Sequence, residues 1–338
     1  MKMRQKMVVL LTIALVLVLA ACSTNKSTAD NPSAKKGSIT LYTSQPEEDI
    51  QKMITAFNKT YPEITVNYFR SGTEEIISKV MAEKETGTIL ADVLLVSDDA
   101  TFESLKSADL LMSYKSSELN GIDESFYDAG NTYTGTKLIT TGIIQNTDII
   151  KEDIVSYKQL LDSRYDNELN MPSPLYSGAA AYNLGILTRT SGIGWDFYEG
   201  LKKNHVVVGK GNGGVSQAVV GGQQGLGIVV DYLAIRAANS GSPVKFIYPS
   251  EGSLVVTEPI GILKSSKNAD QAKSFVDYIL SDEGQKETAK IGYTPIKEGI
   301  DAPEGFKSVK DIKVLSTDLK SLVEGREADK TKFSDLFN

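Results

Sequence analysis

A glycine-rich run, GKGNGG at residues 209–214, fits the pattern G-x-G-x-x-G that dinucleotide-binding units place between a strand and a helix. A strand is predicted just before it and a helix after it, and Asp231 stands near the position of a ribose-binding acid. The helix that follows is predicted to be only about two turns long, and no second mononucleotide half is recognisable. The run therefore favours a glycine-rich turn that leads into a helix.

Ser216 lies in the sequence GVSQA, which approaches a nucleophile elbow but lacks its final glycine. Since the chain has 1 His, a Ser-His-carboxylate hydrolase could use only His205 as its base. A hydrolase that uses Ser216 with His205 stays open as a distant alternative. With 1 Cys and 1 His, the sequence excludes a disulfide framework and a zinc site built from several Cys or His ligands. We expect no catalytic residue, no metal site and no cofactor.

Small polar residues recur where helices are predicted to begin. Helix N-termini carry free N–H groups and the positive end of the helix dipole, so several of them facing one cleft could hold a phosphate, phosphonate or carboxylate group. Helix capping explains each of them singly, but their recurrence in both halves of the chain predicts an anion site. The predicted ligand-binding residues of this kind are Ser44, Gln45, Ser71, Gly72, Thr73, Ser97, Ser177, Gly178 and Ala179.

Three strand–helix pairs are predicted to position the first of these residues. A β-type run at residues 39–42 meets Ser44-Gln-Pro-Glu47, which we interpret as a capping box at the start of a helix. Residues 64–69 meet a second box, Ser71-Gly-Thr-Glu74, and residues 91–96 precede a third helix. The alternation predicts an α/β fold with parallel strands, in which ligands bind beyond the carboxyl ends of the strands.

Two long extended segments, at residues 137–144 and 254–263, enclose a second α/β set. A body of about 300 residues also exceeds the size at which one hydrophobic core usually suffices. We therefore expect two lobes with two crossings between them. The first lobe comprises residues 38–138 and 264–338, and the second lobe comprises residues 139–263. Helices are predicted in the second lobe near residues 157–163, 178–190, 195–202, 214–220 and 232–238.

The N-terminus has the features of a secretory signal, because basic residues precede an apolar run over residues 7–21. That run is shorter than the roughly 20 residues of a membrane-spanning helix. It ends in LAAC, which resembles the bacterial lipobox, in which the cysteine becomes the lipidated first residue. We expect an extracytoplasmic protein anchored to a bacterial membrane, with a signal peptide over 1–21, lipidation at Cys22 and a flexible tether over 22–37.

The composition is that of a folded protein, with 41% hydrophobic and 23% charged residues. It has 36 Lys+Arg against 43 Asp+Glu, a formal net charge of −7, and no segregated basic stretch. These charges exclude the usual basis of nucleic-acid binding. We expect a monomer whose partners are a small anionic ligand and the membrane.

Several segments resemble the extracellular solute-binding proteins of bacterial ABC importers, in the branch that holds ferric-ion, phosphonate and sugar-phosphate binders. The likeness extends over nearly all of residues 38–300. The segments are ITLYTSQ at 39–45, ADV at 91–93, SPLYSGAA at 173–180, GIVVDY at 227–232, TEPIGILKS at 257–265, AKSFVDY at 272–278 and SDEGQ at 281–285.

This resemblance implies a two-lobe, type II periplasmic-binding-protein-like Venus-flytrap fold. The ligand would bind between the lobes, which close about a hinge, and pass to an ABC permease without any catalysis. The resemblance adds Asp231 and Tyr232 to the expected ligand contacts. Asp231 would face the end of the ligand opposite its anionic group, or would only cap the helix that starts at Tyr232.

The ferric-ion binders of this branch use two adjacent tyrosines and often a histidine in the first loop. Here the tandem position is Asp231-Tyr232 and the first loop has Pro46. The resemblance therefore favours a small organic anion, a phosphonate or phosphate ester, with Fe(III) as the alternative. Aminoalkylphosphonates, sugar phosphates, thiamine-like cations and polyamines stay open as ligands.

Overall fold

The structure, a computed structural model, describes residues 36–307 and 311–338. The expected signal peptide, Cys22 and nearly all of the tether lie outside the described residues. Among the helices that are described, none combines the length and the apolar run needed to cross a bilayer.

The described strands form one mixed sheet. The strands are β1 Gly37–Thr43, β2 Ile64–Arg70, β3 Val93–Leu95, β4 Thr134–Asn146, β5 Leu169–Pro172, β6 Val207–Gly209, β7 Leu226–Val230, β8 Val244–Ile247, β9 Ser253–Ile262 and β10 Val314–Leu315. Their order in the sheet is β2-β1-β3-β9-β4-β7-β5-β6, with β8 paired to β4 and β10 paired to β9. The pairs β2-β1 and β1-β3 are parallel, as are β7-β5 and β5-β6.

Helices cover both faces of this sheet, and each of the first three strands leads into one. This arrangement confirms the α/β fold class that the sequence predicts. The helices are α1 Glu47–Thr60, α2 Thr73–Glu85, α3 Asp99–Ser107, α4 Gly178–Arg189, α5 Gly194–Lys203, α6 Asn212–Val220, α7 Asp231–Asn239, α8 Ala269–Leu280, α9 Asp282–Ile291 and α10 Leu319–Phe337.

Strand β1 is buried on both faces, as a central parallel strand must be. Leu41 joins a core cluster with Ile50 and Phe57 of α1. Its neighbour Tyr42 points to the opposite face and packs with Ile76 of α2 in a separate cluster. The alternation of side chains along one strand therefore places α1 and α2 on opposite faces of the sheet.

Strands β4 and β9 connect the two parallel groups. They are 13 and 10 residues long and run antiparallel at the centre of the sheet. Gly135 lies opposite Pro259 and Leu138 lies opposite Thr257, so residues 136 and 137 of β4 both face Glu258 of β9. Two residues opposite one define a β-bulge, which bends and twists a strand locally. The two crossing segments expected from the sequence are thus these two strands.

Both predicted capping boxes are wrong. Helix α1 follows Pro46 and α2 follows Gly72, and neither position supplies a side-chain cap. Ser44 instead donates to Glu258 at 3.4 Å, and Ser71 donates to a glutamate within α2. Because proline and glycine have no capping oxygen, N–H groups in the first turns of both helices stay without a side-chain partner.

The helix predicted near residues 157–163 is also wrong. Two short 3₁₀ turns, Lys158–Leu161 and Ser163–Tyr165, stand there. Asp162 separates them, because its carboxylate accepts the N–H of Arg164 at 3.0 Å and so begins the second turn. Among the described strands and α-helices, β8, β10 and the C-terminal helix α10 had no counterpart in the prediction.

Candidate functional site

A cavity of about 420 Å³ lies where the first strand–helix turns face the turns of residues 173–233. We call it the interlobe cavity. Its volume is within the range typical of small-molecule sites. The sequence-predicted residues that line it are Ser44, Gly72, Thr73, Ser97, Ser177, Gly178, Ala179 and Tyr232, whereas Gln45, Ser71 and Asp231 are not part of its wall.

Three helices begin at the wall of this cavity. The cap and first residue of α2 are Gly72 and Thr73, those of α4 are Ser177 and Gly178, and those of α6 are Gly211 and Asn212; all of them line the cavity. Their first turns point N–H groups and positive dipole ends into a shared space. The cavity is therefore electrostatically suited to a negative group.

The turns Gly72–Thr73, Ser97–Asp98 and Ser177–Gly178, which we name the cradle turns, touch one another. A Cβ atom on Gly72 would lie 2.4 Å from the carbonyl oxygen of Tyr176. A Cβ atom on Gly178 would lie 2.8 Å from Oγ1 of Thr73 and 2.9 Å from the carbonyl oxygen of Ser97. Only glycine permits such approaches without a shift, because it has no side chain.

Ser97 contributes an unusual hydroxyl to the cradle turns. Its backbone N–H donates to Oγ1 of Thr73 at 3.3 Å, but its own Oγ is buried and has no hydrogen-bond partner. The whole residue is 6% exposed and lines the cavity. An unsatisfied buried hydroxyl costs about 1–3 kcal/mol, which a ligand that bonds to it would recover.

Two basic residues at the rim of the cavity were missed by the sequence analysis. Nε of Arg70 donates to the carbonyl oxygen of Gln45 at 2.9 Å, and its Nη1 lies 3.4 Å from the hydroxyl of Tyr176. Lys210 pairs with Glu75 at 3.2 Å, and both side chains are exposed. The position of Arg70, at the end of a strand and directly before Ser71, was the available signal.

Glu258 was the other residue missed, and it forms part of the cavity wall at the bulge between β4 and β9. Its Oε2 lies 2.6 Å from Nζ of Lys137 and accepts from Nε2 of Gln45 at 2.9 Å. Both charged side chains are about 95% buried, at 4% and 5% exposed. Gln45 therefore reaches the cavity only through Glu258, and so does Lys137.

Asp231 is buried behind the wall, at 2% exposed. It is the first residue of α7, and its carboxylate accepts the N–H of Tyr232 at 2.8 Å. Burial raises the pKa of Asp231 to about 7, against hydrogen bonds from Tyr232 and Thr140 that act in the opposite direction. The expectation that Asp231 caps a helix starting at Tyr232 is wrong, because the helix begins at Asp231 itself, with Val230 at its cap position and no side-chain cap.

Tyr232 lines the cavity and packs against Tyr293, with ring centroids 4.6 Å apart and the ring planes tilted by 53°. The guanidinium of Arg236 lies 4.7 Å from each ring centroid and pairs with Asp49 at 2.9 Å. The hydroxyl of Tyr293 donates to the same carboxylate at 2.5 Å. Burial raises the pKa of both tyrosines, so both phenols are held in the protonated form.

The other candidate chemistries find weaker support in the geometry. The described residues contain no cluster of three or more His, Cys, Asp or Glu side chains suited to a metal ion. His205 is exposed and its Nδ1 lies 2.6 Å from Asp166, whereas Ser216 is buried within α6. Gly211, Gly213 and Gly214 of the glycine-rich run line the interlobe cavity.

The sequence profile of the family described as "Bacterial extracellular solute-binding protein" matches residues 52–314. The chain belongs to this family. A putative ABC transporter substrate-binding lipoprotein, YvgL of Bacillus subtilis, is 25% identical over 82% of this chain and 94% of its own length. A putative 2-aminoethylphosphonate-binding periplasmic protein of Salmonella typhimurium is 21% identical over 80% of this chain and 82% of its own.

Solved structures of solute-binding proteins share the fold. The periplasmic binding protein AfuA of Actinobacillus pleuropneumoniae, solved with fructose-6-phosphate, matches with a TM-score of 0.82 at 22% identity, over 89% of this chain and 98% of its own. Iron-bound HitA of Pseudomonas aeruginosa matches with a TM-score of 0.78 at 22% identity, over 89% and 99%. The chain is thus a solute-binding protein of an ABC importer, with the two-lobe periplasmic-binding-protein fold, and its family binds small ligands for a membrane permease.

Proposed function

We propose that this solute-binding protein captures a small organic anion, with a phosphonate or phosphate-ester group, in the interlobe cavity. The observation that carries the proposal is the buried, unpartnered Oγ of Ser97 beside the N-termini of α2 and α4. A tetrahedral oxyanion presents several acceptor oxygens, which suits a site made of hydroxyl and N–H donors. Each hydrogen bond to such a charged group contributes about 1.5–3 kcal/mol.

The rim charges fit an anionic ligand. Arg70 and Lys210 stand at the cavity wall, where they would attract a negative solute and partly neutralise it. Each is held by a partner, Arg70 by the backbone of Gln45 and Lys210 by Glu75. The anion would therefore meet two positioned cations, as well as the dipoles of the helices, near the mouth.

We assign the opposite end of the ligand to Glu258 and Tyr232, in place of Asp231. Glu258 presents Oε1 toward Ser44 at 3.4 Å, a weak contact that a ligand donor could replace. An ammonium group or sugar hydroxyls would donate there, with the ring of Tyr232 beside them. Aminoalkylphosphonates and sugar phosphates both have an anionic group at one end and hydrogen-bond donors at the other. Among the similar proteins, one is named as a 2-aminoethylphosphonate binder and another was solved with fructose-6-phosphate.

Fe(III) remains the second candidate, supported by the fold shared with iron-bound HitA. The pair Tyr232 and Tyr293 could offer two phenols, but the hydroxyl of Tyr293 already donates to Asp49 at 2.5 Å. A ferric ion requires deprotonated phenolates, whereas burial raises the pKa of both groups. The geometry therefore favours the organic anion.

We also propose how the protein is anchored and how its lobes move. We place the lipid anchor at Cys22, the first lobe at residues 38–138 and 264–338, and the second lobe at residues 139–263. The lobes would open and close about β4 and β9, whose bulge at Glu258 is the one irregularity in their pairing that borders the cavity. We propose that the monomer delivers its ligand to an ABC permease and has no catalytic turnover.

The experiment that tests the ligand begins with protein purified natively and without refolding. Mass spectrometry of the small molecules released on denaturation identifies the ligand, and titration calorimetry with 2-aminoethylphosphonate, fructose 6-phosphate and Fe(III) citrate measures affinities. We expect a phosphonate or phosphate ester to bind with one-to-one stoichiometry. Tight Fe(III) binding with a tyrosinate charge-transfer band that is lost in Tyr232→Phe would show that the ligand is Fe(III) and not an organic anion.

Turnover is tested separately on panels of esters and phosphoesters. We expect none to be hydrolysed. Hydrolysis that disappears in Ser216→Ala would establish the hydrolase alternative and overturn the binding-only function.

A further inference from the structure

The C-terminal helix α10 is seated on helices of the second lobe, although its residues belong to the range proposed for the first. Leu322 and Phe333 are its buried side chains, at 4% and 2% exposed. A Cβ atom on Gly185 of α4 would lie 2.6 Å from Cδ2 of Leu322, and the ring of Phe333 lies 6.0 Å from that of Tyr198 on α5. Apolar packing therefore fixes α10 to α4 and α5.

Polar contacts strengthen this seat. Nη1 of Arg189, at the end of α4, lies 2.5 Å from Oδ2 of Asp329. The same guanidinium crosses over Gly325, where a Cβ atom would lie 1.9 Å from Nη2. A side chain at position 325 would therefore displace this guanidinium from its place over α10.

The same face of α10 also reaches the first lobe, through a buried ion-pair cluster. Nη2 of Arg326 lies 2.6 Å from Oε1 of Glu74 and 3.0 Å from Oδ2 of Asp98, and Lys330 lies 2.7 Å from Oε2 of Glu74. The side chains of Arg326, Glu74 and Asp98 are 10%, 12% and 0% exposed. Nη1 of Arg326 also approaches Oδ1 of Asp98 at 3.4 Å, so the guanidinium faces both carboxylate oxygens.

Of the two acidic residues, Glu74 directly follows a cradle turn and Asp98 belongs to one. Glu74 comes after Thr73, and its N–H donates to the carbonyl oxygen of Tyr176 at 3.3 Å. Asp98 comes after Ser97, has φ of +137°, and accepts the N–H of Thr101 at 2.8 Å. A non-glycine residue in this region is strained and persists only when its surroundings fix it. The ion pair with Arg326 is one of the contacts that hold Asp98 in this conformation.

Opening of the lobes cannot leave all of these contacts intact. If α10 stays on α4 and α5, Arg326 leaves Glu74 and Asp98, and a fully buried carboxylate loses its cation. If α10 follows Arg326, the apolar side chains of Leu322 and Phe333 leave their packing. The first route is opposed because removing one partner from a buried ion pair is strongly destabilising. The second is opposed because it exposes buried apolar surface to water.

We propose that Arg326 latches the C-terminal helix to the first lobe and positions the cradle turns, so that it favours the closed, ligand-holding arrangement without touching the ligand. The inference rests on the proposed function only through the closing motion. It does not depend on which anion is bound. Arg326 is a positioning residue in this scheme, acting through Glu74 and Asp98.

The test measures the distance between the lobes in the full chain with Cys22→Ser. Nitroxide labels on Ser78→Cys and Leu175→Cys flank the contact between Glu74 and Tyr176, and both sites are exposed. Spin–spin distances in ligand-free protein report the ratio of closed to open molecules. The variants are Arg326→Gln, Arg326→Lys, and Lys320→Gln as the matched control, whose pair with Glu324 on the same helix is exposed.

We expect a short-distance population in the unsubstituted chain and in Lys320→Gln. In Arg326→Gln the closed-to-open ratio should fall at least tenfold, with a smaller fall in Arg326→Lys, since lysine keeps the charge but lacks the two-pronged guanidinium. An unchanged ratio in folded Arg326→Gln, or a fully open unsubstituted chain, would overturn the latch. If Arg326→Gln does not fold, Arg326→Lys and Glu74→Gln decide by the same comparison.

The binding panel separates this inference from the proposed ligand. A protein that shows the expected distance shifts but binds neither 2-aminoethylphosphonate nor fructose 6-phosphate keeps the latch and loses the organic-anion assignment. A protein that binds one of them with equal affinity before and after Arg326→Lys, and with unchanged distances, keeps the assignment and loses the latch.

Discussion

The N–H of Glu74 donates a hydrogen bond to the carbonyl oxygen of Tyr176 at 3.3 Å, across the mouth of the interlobe cavity. The two residues belong to the first and second proposed lobes. Gly72 lies against the same carbonyl, because it has no Cβ atom to keep the chains apart. The contact joins the two sides of the cavity, where helix N-termini from both sides meet around one space.

Gly72→Ala should weaken ligand binding without unfolding the protein. Its φ of −68° suits alanine, but the new Cβ would stand 2.4 Å from the carbonyl oxygen of Tyr176 and so oppose closure. We expect the dissociation constant of the identified ligand to rise about tenfold or more, which is about 1.4 kcal/mol. Gly213→Ala is the matched control, because that glycine also lines the cavity and a Cβ there meets nothing within 4 Å. Equal affinities in the two variants would contradict the closing contact.

Ser97→Ala should separate binding from stability. The lost hydroxyl has no partner in the folded protein, so its removal should not lower the free energy of unfolding of the ligand-free protein and should raise it by up to about 1–3 kcal/mol. The affinity for the ligand should fall about tenfold or more, because a charge-assisted hydrogen bond disappears. Ser253→Ala, which removes another buried unpartnered hydroxyl outside the cavity wall, should leave the affinity unchanged. Calorimetry and urea unfolding provide the two readouts.

Asp231 should make stability fall as pH rises. Its pKa is raised from 3.8 to about 7 in the folded protein, so between these values the folded state binds more protons than the unfolded state, and the free energy of unfolding decreases with pH. The full effect is on the order of 4 kcal/mol. Asp231→Asn removes this titration. The difference in unfolding free energy, original minus Asp231→Asn, should therefore decline from pH 4 to pH 7.5, and a flat difference would argue against the raised pKa.

The buried pair Lys137 and Glu258 should behave as a unit. Lys137→Met leaves the carboxylate of Glu258 without its cation at 2.6 Å, and we expect a loss of about 3–5 kcal/mol in urea unfolding. The double variant Lys137→Met with Glu258→Leu should be less destabilised than Lys137→Met alone, because no lone buried charge remains. Additive losses would show that the pair is not coupled.

Cys22→Ser should abolish lipidation, as the LAAC ending predicts. The variant should accumulate as an unlipidated precursor or be released in soluble form. Metabolic labelling with a fatty acid, followed by fractionation of the cells, measures both outcomes. Undiminished acyl labelling of the variant would place the anchor elsewhere.

Local patterns in the sequence determined the α/β class and the positions of most of its elements. Strands such as β1 and helices such as α1 carry their own hydrophobic periodicity, so each is recognisable alone. The same patterns identified residues that the structure gathers at one cavity: Ser44, Gly72, Thr73, Ser97, Ser177, Gly178 and Ala179. They did so because helix starts after parallel strands share one edge of a sheet.

Tertiary structure decided the rest, because it depends on contacts between residues far apart in the chain. Glu258 reaches the cavity through a bulge set by the pairing of β9 with β4, and Asp231 is turned inward under Tyr232. Helix α10 is largely charged and becomes recognisable only by where it packs, against α4 and through Arg326 against Asp98. A burial or a pairing of this kind leaves no periodic signal in the sequence, since the partner lies many residues away.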